Sequence, residues 1–439
     1  MDVPRRRFLT GAGATAAGAA LVPLAACTDD EPASSKPTAD GDAAAFDPAD
    51  WTSVRAQLPL SPDLAHFAAF VLATTPRPVA DAIEAHRRGL DEDPAGFLEV
   101  HEVELDEAVR TAGAEYLGVD PAELAMTDST TMGLSVVYGG LRLEAGDELL
   151  TTEHDFYSTH EALRLAASRG GAAVRRVTLY DDPAAASEDE IIMRLLEGVT
   201  PSTKALAITW THSSTGVKLP VRAIADALAD SGDEPPLLCV DAVHALGVEG
   251  EGLPDLGCDV LVAGTHKWLF GPRGTGVVWA NERAWAAMDP VIPPFEGASF
   301  QGWIDGTDPA RTPGGVPFTP GGYHTFEHRW ALADAFRFHL DIGKSAVNER
   351  TVSQATQLKA ALAEISALRV VTPTDPSLSS GIVCVDTPEE PFELLEPLRE
   401  RGFGASVTPY STRYLRLGPS IATTPAEVDA VAAALAELV

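Results

Sequence analysis

Cysteine is scarce in this chain. Four occur in 439 residues, at positions 27, 239, 258 and 384, and none has the spacing of a metal site. Positive charge is scarce too: 32 lysines and arginines stand against 64 aspartates and glutamates, a net charge of −32. Such a balance argues against nucleic acid and against anionic membrane surfaces as partners. Long apolar runs are also lacking. Gly11–Ala26 is built of small residues, too short and too weakly apolar for a comfortable membrane span. What is present is a globular composition, 45% hydrophobic with glycine and proline spread throughout, in a chain long enough for two domains with large cores. Cys239 and Cys384 stand in apolar runs and read as core residues.

The most informative stretch is Leu237–Gly276, LLCVDAVHALGVEGEGLPDLGCDVLVAGTHKWLFGPRGTG. Its apolar runs Leu237–Val240 and Val260–Ala263 predict buried parallel strands, and ligands of α/β sheets bind beyond the carboxyl ends of such strands. The first run delivers Asp241 and His244; the second delivers Thr265, His266 and Lys267. A lysine directly after a buried strand is costly unless it is neutralised or paired. A Schiff base with an aldehyde cofactor gives it a use, and an aspartate can hold that cofactor's protonated pyridine nitrogen. Gly271, Gly274 and Gly276 keep bulk away from the lysine.

These motifs resemble the class V aminotransferases, enzymes that depend on pyridoxal 5′-phosphate. In that family an Asp-x-x-Gln/His, a His-Lys and a Gly-Pro-x-Gly follow one another, as Asp241 with His244, His266 with Lys267, and Gly271-Pro272-Arg273-Gly274 do here. The His-Lys-Trp form is most similar to the isopenicillin N epimerase-like branch. The resemblance implies a fold type I homodimer, with a large doubly wound α/β domain and a smaller α+β carboxy-terminal domain. It implies Lys267, Asp241 and His244 as catalytic residues, with His266 beside them at the cofactor.

Further site residues follow from the same resemblance. In Met126–Gly133, a strand end, three hydroxyls and a helix start form an anion site, and Thr130 and Thr131 stand at the family's phosphate turn; capping by Ser129 is the plainer reading. After the strand Glu148–Thr151, His154 aligns with the ring that stacks on the pyridine, Phe156 with a tyrosine of the epimerase-like branch; simple helix capping is the alternative for His154. Ser213, or His212 beside it, stands where the family meets the phenolic oxygen. Tyr323 replaces a threonine that reaches the neighbouring subunit's phosphate. Arg416, with Arg413 as a weaker candidate, stands where the family binds the substrate carboxylate, a task suited to a guanidinium fork. The segment His66–Pro78 matches the stretch that lines the substrate mouth, but Ala68, Phe70 and Ala73 depart from the family's Asn and Gly.

The expected organisation is a signal over residues 1–27, a tether over 28–47, an N-terminal segment over 48–75, a large cofactor-binding domain over 76–320 and a small domain over 321–439. Pro293–Pro320 reads as a long irregular loop and Phe326–Leu340 as one amphipathic helix. Arg5-Arg6 with Phe8 and Leu9 form a twin-arginine signal, and Leu24-Ala25-Ala26-Cys27 resembles a bacterial lipobox, with an ordinary Ala-x-Ala cleavage site as its rival. Export by that route and lipid anchoring through Cys27 are the expected location. An amino acid, as a small-molecule substrate, is the expected partner, and which amino acid is left open. Transamination, epimerisation and elimination all remain open. A cysteine desulfurase would need a mobile small-domain cysteine, and Cys384 is the only one there. A non-catalytic binding lipoprotein of the same fold is the rival from another class.

Overall fold

The computed structural model describes residues 46–232, 234–307 and 312–439. The expected signal and almost all of the tether lie outside them. Of the thirteen strands among the described residues, seven form the central sheet: β2 (Leu124–Thr127), β3 (Glu148–Thr152), β4 (Ala173–Val177), β5 (Thr203–Thr209), β6 (Leu237–Asp241), β7 (Val260–Gly264) and β8 (Gly276–Ala280). Their order is β2-β8-β7-β6-β5-β3-β4, and β8 runs antiparallel to both its neighbours while the remaining pairs are parallel. Every residue of β6, β7 and β8 is buried. Unbroken apolar runs therefore suit these strands, because helices cover both faces of the sheet. The side chains divide by alternation: Leu238 and Val240 belong to one core cluster, Leu237 and Cys239 to the other.

The smaller sheet consists of β9 (Arg369–Val370), β10 (Val383–Asp386), β12 (Ser406–Val407) and β13 (Leu415–Leu417), antiparallel in the order β12-β13-β10-β9. Val383, Val385, Leu415 and Leu417 pack with Leu358 and Leu362 of helix Lys344–Ala363 and with Val431 and Leu435 of helix Pro425–Leu438. The intervening residues Cys384 and Arg416 are register partners on the opposite face. This is the doubly wound α/β architecture with a smaller α+β part that the sequence predicts. The N-terminal segment joins the smaller part: β1 (Ala65–His66) pairs in parallel with β11 (Phe403–Gly404), and Gly418 donates its N–H to the Phe67 carbonyl at 2.7 Å.

Two expectations are corrected. Pro293–Pro320 is not wholly irregular: Gly297–Asp305 is a helix, capped by the Glu296 carboxylate accepting from the Ser299 N–H at 3.2 Å. Its glycine and proline surroundings hid the helical spacing of Phe300, Trp303 and Ile304. Phe326–Leu340 is two helices, Phe326–Trp330 and Leu332–Ile342, that meet at Ala331.

One glycine ties the fold to the loop after β7. Gly247 has φ +92°, and a Cβ there would lie 2.3 Å from the Leu269 backbone nitrogen, two residues past Lys267. Gly247→Ala is expected to cost about 1–2 kcal/mol from its left-handed backbone alone, with the backbone collision added. Thermal unfolding should show a lowered midpoint, and the variant should lose affinity for the ligand of the cleft. An unchanged midpoint would mean that the loop shifts freely.

Candidate active site

Strands β5, β6 and β7, the turn before helix Thr130–Gly140, and β13 of the smaller sheet converge on a cleft of about 340 Å³. Its walls carry Thr130, Thr131, Ser213, Asp241, His244, His266, Lys267 and Arg416 together. Larger cavities exist elsewhere on the surface, one of them lined by Glu102, Asp106, Arg110 and Arg329, but neither holds a lysine.

Asp241 ends β6, 2% exposed, and its Oδ1 accepts one backbone bond, from Val243 at 3.1 Å. Burial pushes its carboxyl up to about 7, although Lys267 nearby opposes that rise. Lys267 follows β7, and burial pushes its ammonium down to about 8. Each group is thus held close to its neutral form by desolvation and drawn toward its charged form by the other. His244 and His266 are held neutral by burial and by the cation of Lys267, and both leave Nδ1 buried without a partner. The hydroxyl of Thr209, opposite Asp241 in register, is unpartnered as well.

At the turn before helix Thr130–Gly140 the capping reading is seen directly. Ser129 caps the helix, accepting from Met132 N–H at 3.2 Å. Thr130 Oγ1 accepts from Gly264 N–H at 2.8 Å, which pins the helix start to the end of β7. The first-turn N–H groups of a helix have no partners within it and favour an anion.

Arg416 is 5% exposed. Its guanidinium donates to Ser213 O at 3.2 Å, Ser406 Oγ at 3.0 Å and Val407 O at 3.1 Å, and lies 4.9 Å from the Phe70 ring centroid. Its Nε is buried without a partner, and no carboxylate pairs with it among the described residues. Arg413 is elsewhere: it is exposed and paired with Glu390 at 3.2 Å.

Some placements differ from expectation. His154 is not on the cleft wall. Its ring stacks on Tyr180 with centroids 4.0 Å apart, and its Nε2 accepts from Leu179 N–H at 3.2 Å. The turn is set by Asp155, which accepts from Thr151 Oγ1 and Thr152 N, both at 2.8 Å. Nor does His154 cap the next helix, whose N-cap is Phe156; Phe156, like Phe70, lines the cleft. His212 is fully buried and bound to Tyr180 through Nδ1 at 2.9 Å, so Ser213 rather than His212 faces the cleft. Tyr323 is 86% exposed and lines no part of its own chain's cleft. Tyr410, which meets Ser213 Oγ at 2.7 Å, carried no signal in the sequence.

The cleft fits a phosphorylated pyridine aldehyde. It offers an amine kept near neutrality, a buried carboxylate short of donors, unpartnered ring nitrogens and a helix start with three hydroxyls. The sequence profile of aminotransferase class V matches residues 76–405. The chain belongs to that family. Its cofactor is pyridoxal 5′-phosphate, and its fold is type I of the enzymes that use it. Isopenicillin N epimerase of Streptomyces clavuligerus is 26% identical over 396 residues, 88% of this chain and 98% of that protein. A cysteine desulfurase of Enterobacter sp. strain 638 is 27% identical over 335 residues, 73% of this chain and 77% of that one. Among solved structures, the C–S lyase C-DES with glycine covalently linked to its PLP cofactor superposes with a TM-score of 0.78 at 21% identity, over 87% of this chain and 99% of that one. The apo cysteine desulfurase of Thermococcus onnurineus NA1 gives 0.75 at 19%, over 88% and 98%.

The lowered Lys267 value has a kinetic sign. A free amine attacks an aldehyde and an ammonium does not. The rate at which cofactor-free protein captures pyridoxal phosphate should therefore rise about tenfold per pH unit and flatten near pH 8, below the ordinary lysine value of 10.5. Absorbance stopped-flow measures this. Borohydride reduction and peptide mapping should put the pyridoxyl group on Lys267. Lys267→Ala should fold and carry no label; a label on Lys204 or Lys218 instead would reassign the amine.

Proposed function

We propose that this class V pyridoxal-phosphate enzyme acts at the amine and α-carbon of an α-amino acid, as an aminotransferase or an epimerase-like catalyst. The observation that carries the reading is a buried guanidinium without a carboxylate partner, Arg416, on the same cleft as Lys267 and Asp241. When bound, the cofactor supplies an aldehyde for the amine and a ring that accepts the electron pair left at the α-carbon. Arg416 binds and orients the substrate carboxylate. Lys267, once its amine is released, takes and returns the α-proton, a role suited to an amine held near neutrality. Asp241 keeps a proton on the ring nitrogen. His244, neutral and with a free Nδ1, offers a hydrogen bond beside the phenolic oxygen.

A cysteine desulfurase is the second reading, supported by the relatives of that name. It is disfavoured because Cys239, Cys258 and Cys384 are all buried. The thiol of Cys384 is pushed up to about 12 by burial, the reverse of what a sulfur acceptor needs. A catalytically dead binding lipoprotein is disfavoured because the amine and the carboxylate both stand in the cleft.

A homodimer is part of the proposal. Helix Gly297–Asp305 holds Phe300, Trp303 and Ile304 at 51%, 74% and 56% exposure, with Phe295 and Tyr323 exposed nearby in sequence. Such a patch calls for a partner surface. Export is also proposed, by the twin-arginine route in folded form and with a lipid anchor at Cys27. Its support is the Arg5-Arg6 pair, the lipobox-like run and the acidic stretch that follows. Two acyl chains on one cysteine suffice for stable anchoring.

Arg416→Gln should lower kcat/KM for the amino acid roughly 30- to 100-fold, the loss of one charge-assisted bond pair. It should leave turnover of the matching amine without a carboxylate unchanged. Equal losses on both would remove the carboxylate role. The test needs a panel of L- and D-amino acids, with α-proton exchange, keto acid and sulfide followed separately; sulfide as the main product would favour the desulfurase. For location and assembly, wild-type protein should fractionate with membranes and sediment as a dimer after solubilisation. Cys27→Ala should become soluble outside the cytoplasm, Arg5→Lys with Arg6→Lys should stay inside, and Trp303→Asp should sediment as a monomer. A membrane-bound Cys27→Ala or a dimeric Trp303→Asp would count against the corresponding part.

A further inference from the structure

We infer that the cleft selects an amino acid whose side chain is uncharged and apolar. The inference rests on the reading of the cleft as an amino-acid site. It follows from an inventory of charge on the wall that this chain supplies. Three groups there carry charge: Asp241, Lys267 and Arg416. Each has a task at the cofactor or at the substrate's α-carboxylate. An acidic side chain would need a second guanidinium or ammonium, and among the described residues of this chain the cleft wall has none. Arg413, the nearest arginine in sequence, is exposed and engaged by Glu390. The two histidines of the cleft add no cation, because burial and Lys267 hold both neutral. A basic side chain would need a second carboxylate, and Asp241 is the only one that the described residues of this chain place on the wall. Burying an unpaired charge is the costliest way to fill such a cleft.

Six hydroxyl residues also line the wall, Ser129, Thr130 and Thr131 at the helix start with Ser158, Thr209 and Ser213; apart from these and the two histidines, its uncharged side chains are apolar. Phe70 lies beneath the guanidinium, and Val71, Phe156 and Pro409 complete the mouth. Val71 is 47% exposed and Phe156 36%, two large apolar groups left open to water at the edge of a site. Of the hydroxyls on the wall, that of Ser213 is held by Tyr410 at 2.7 Å. A side chain laid across Val71 and Phe156 would take apolar surface out of water on both partners. The departures from the family's Asn and Gly, Ala68 and Phe70, fall in this same segment.

The test is titration of the holoenzyme, read through the absorbance of its bound cofactor, with α-proton exchange followed in parallel. The probes are alanine, 2-aminobutyrate, norvaline, norleucine, leucine, methionine and phenylalanine in both configurations, against aspartate, glutamate, lysine and arginine. Binding should tighten roughly fourfold per added methylene along the straight-chain series, and the charged amino acids should bind at least about tenfold more weakly than norleucine. A flat straight-chain series, or a preference for glutamate or lysine, would overturn the inference while leaving the amino-acid reading intact. A cofactor that answers to no amino acid at all would overturn that reading and the inference with it. Val71→Arg supplies the missing cation and should shift preference toward glutamate. An unchanged ranking in that variant would show that side chains do not pass over this wall.

Discussion

Two opposite charges, buried at adjacent strand ends, set the terms for the rest of this molecule. Asp241 and Lys267 follow β6 and β7, which lie side by side and are buried along their whole length. Left in water, each would be an ordinary ion. Here desolvation draws the proton toward the carboxylate and away from the amine, while their mutual attraction draws it back. The outcome is a pair poised between the ionic and the neutral form. Much of the surrounding structure serves to maintain the burial that poises it. The Trp268 ring packs beside Phe70, and the close approach of Gly247 to the Trp268–Leu269 backbone leaves the loop little freedom.

The smaller sheet contributes by simple alternation. Leu415 and Leu417 bury themselves against two helices, so the residue between them must face the other way. That residue is Arg416, and the other way is the cleft. Its neighbours satisfy it with carbonyl and hydroxyl oxygens, and among the described residues no carboxylate compensates its charge.

How much of this was legible in the sequence depended on whether the cause was local. Polar residues directly after a buried apolar run can only emerge at a strand end, so Asp241, His244, His266 and Lys267 could be grouped before any coordinates existed. The same logic reached Thr130, Thr131 and Arg416. His154 failed because its direction is fixed by partners distant in sequence, Tyr180 and Leu179, and by the grip of Asp155 on Thr151 and Thr152. Tyr410 failed because nothing in its own turn announces that it will meet Ser213. Helix Gly297–Asp305 failed for the opposite reason: its spacing was local and readable, but glycine and proline around it argued louder.

The pairing of β1 with β11 carries a consequence for how the molecule comes into being. Ala65 lies opposite Phe403, a partner that leaves the ribosome more than three hundred residues later. The segment that carries Phe70 and Val71 to the mouth of the cleft is thus made long before the strand that seats it. The central sheet, whose last strand ends at Ala280, can form while that segment waits, a long loop to be closed only once β11 has been made. A chain cut short before Phe403 would keep the lysine and the aspartate yet leave the mouth without its wall. The cleft thus registers whether β11 has been delivered.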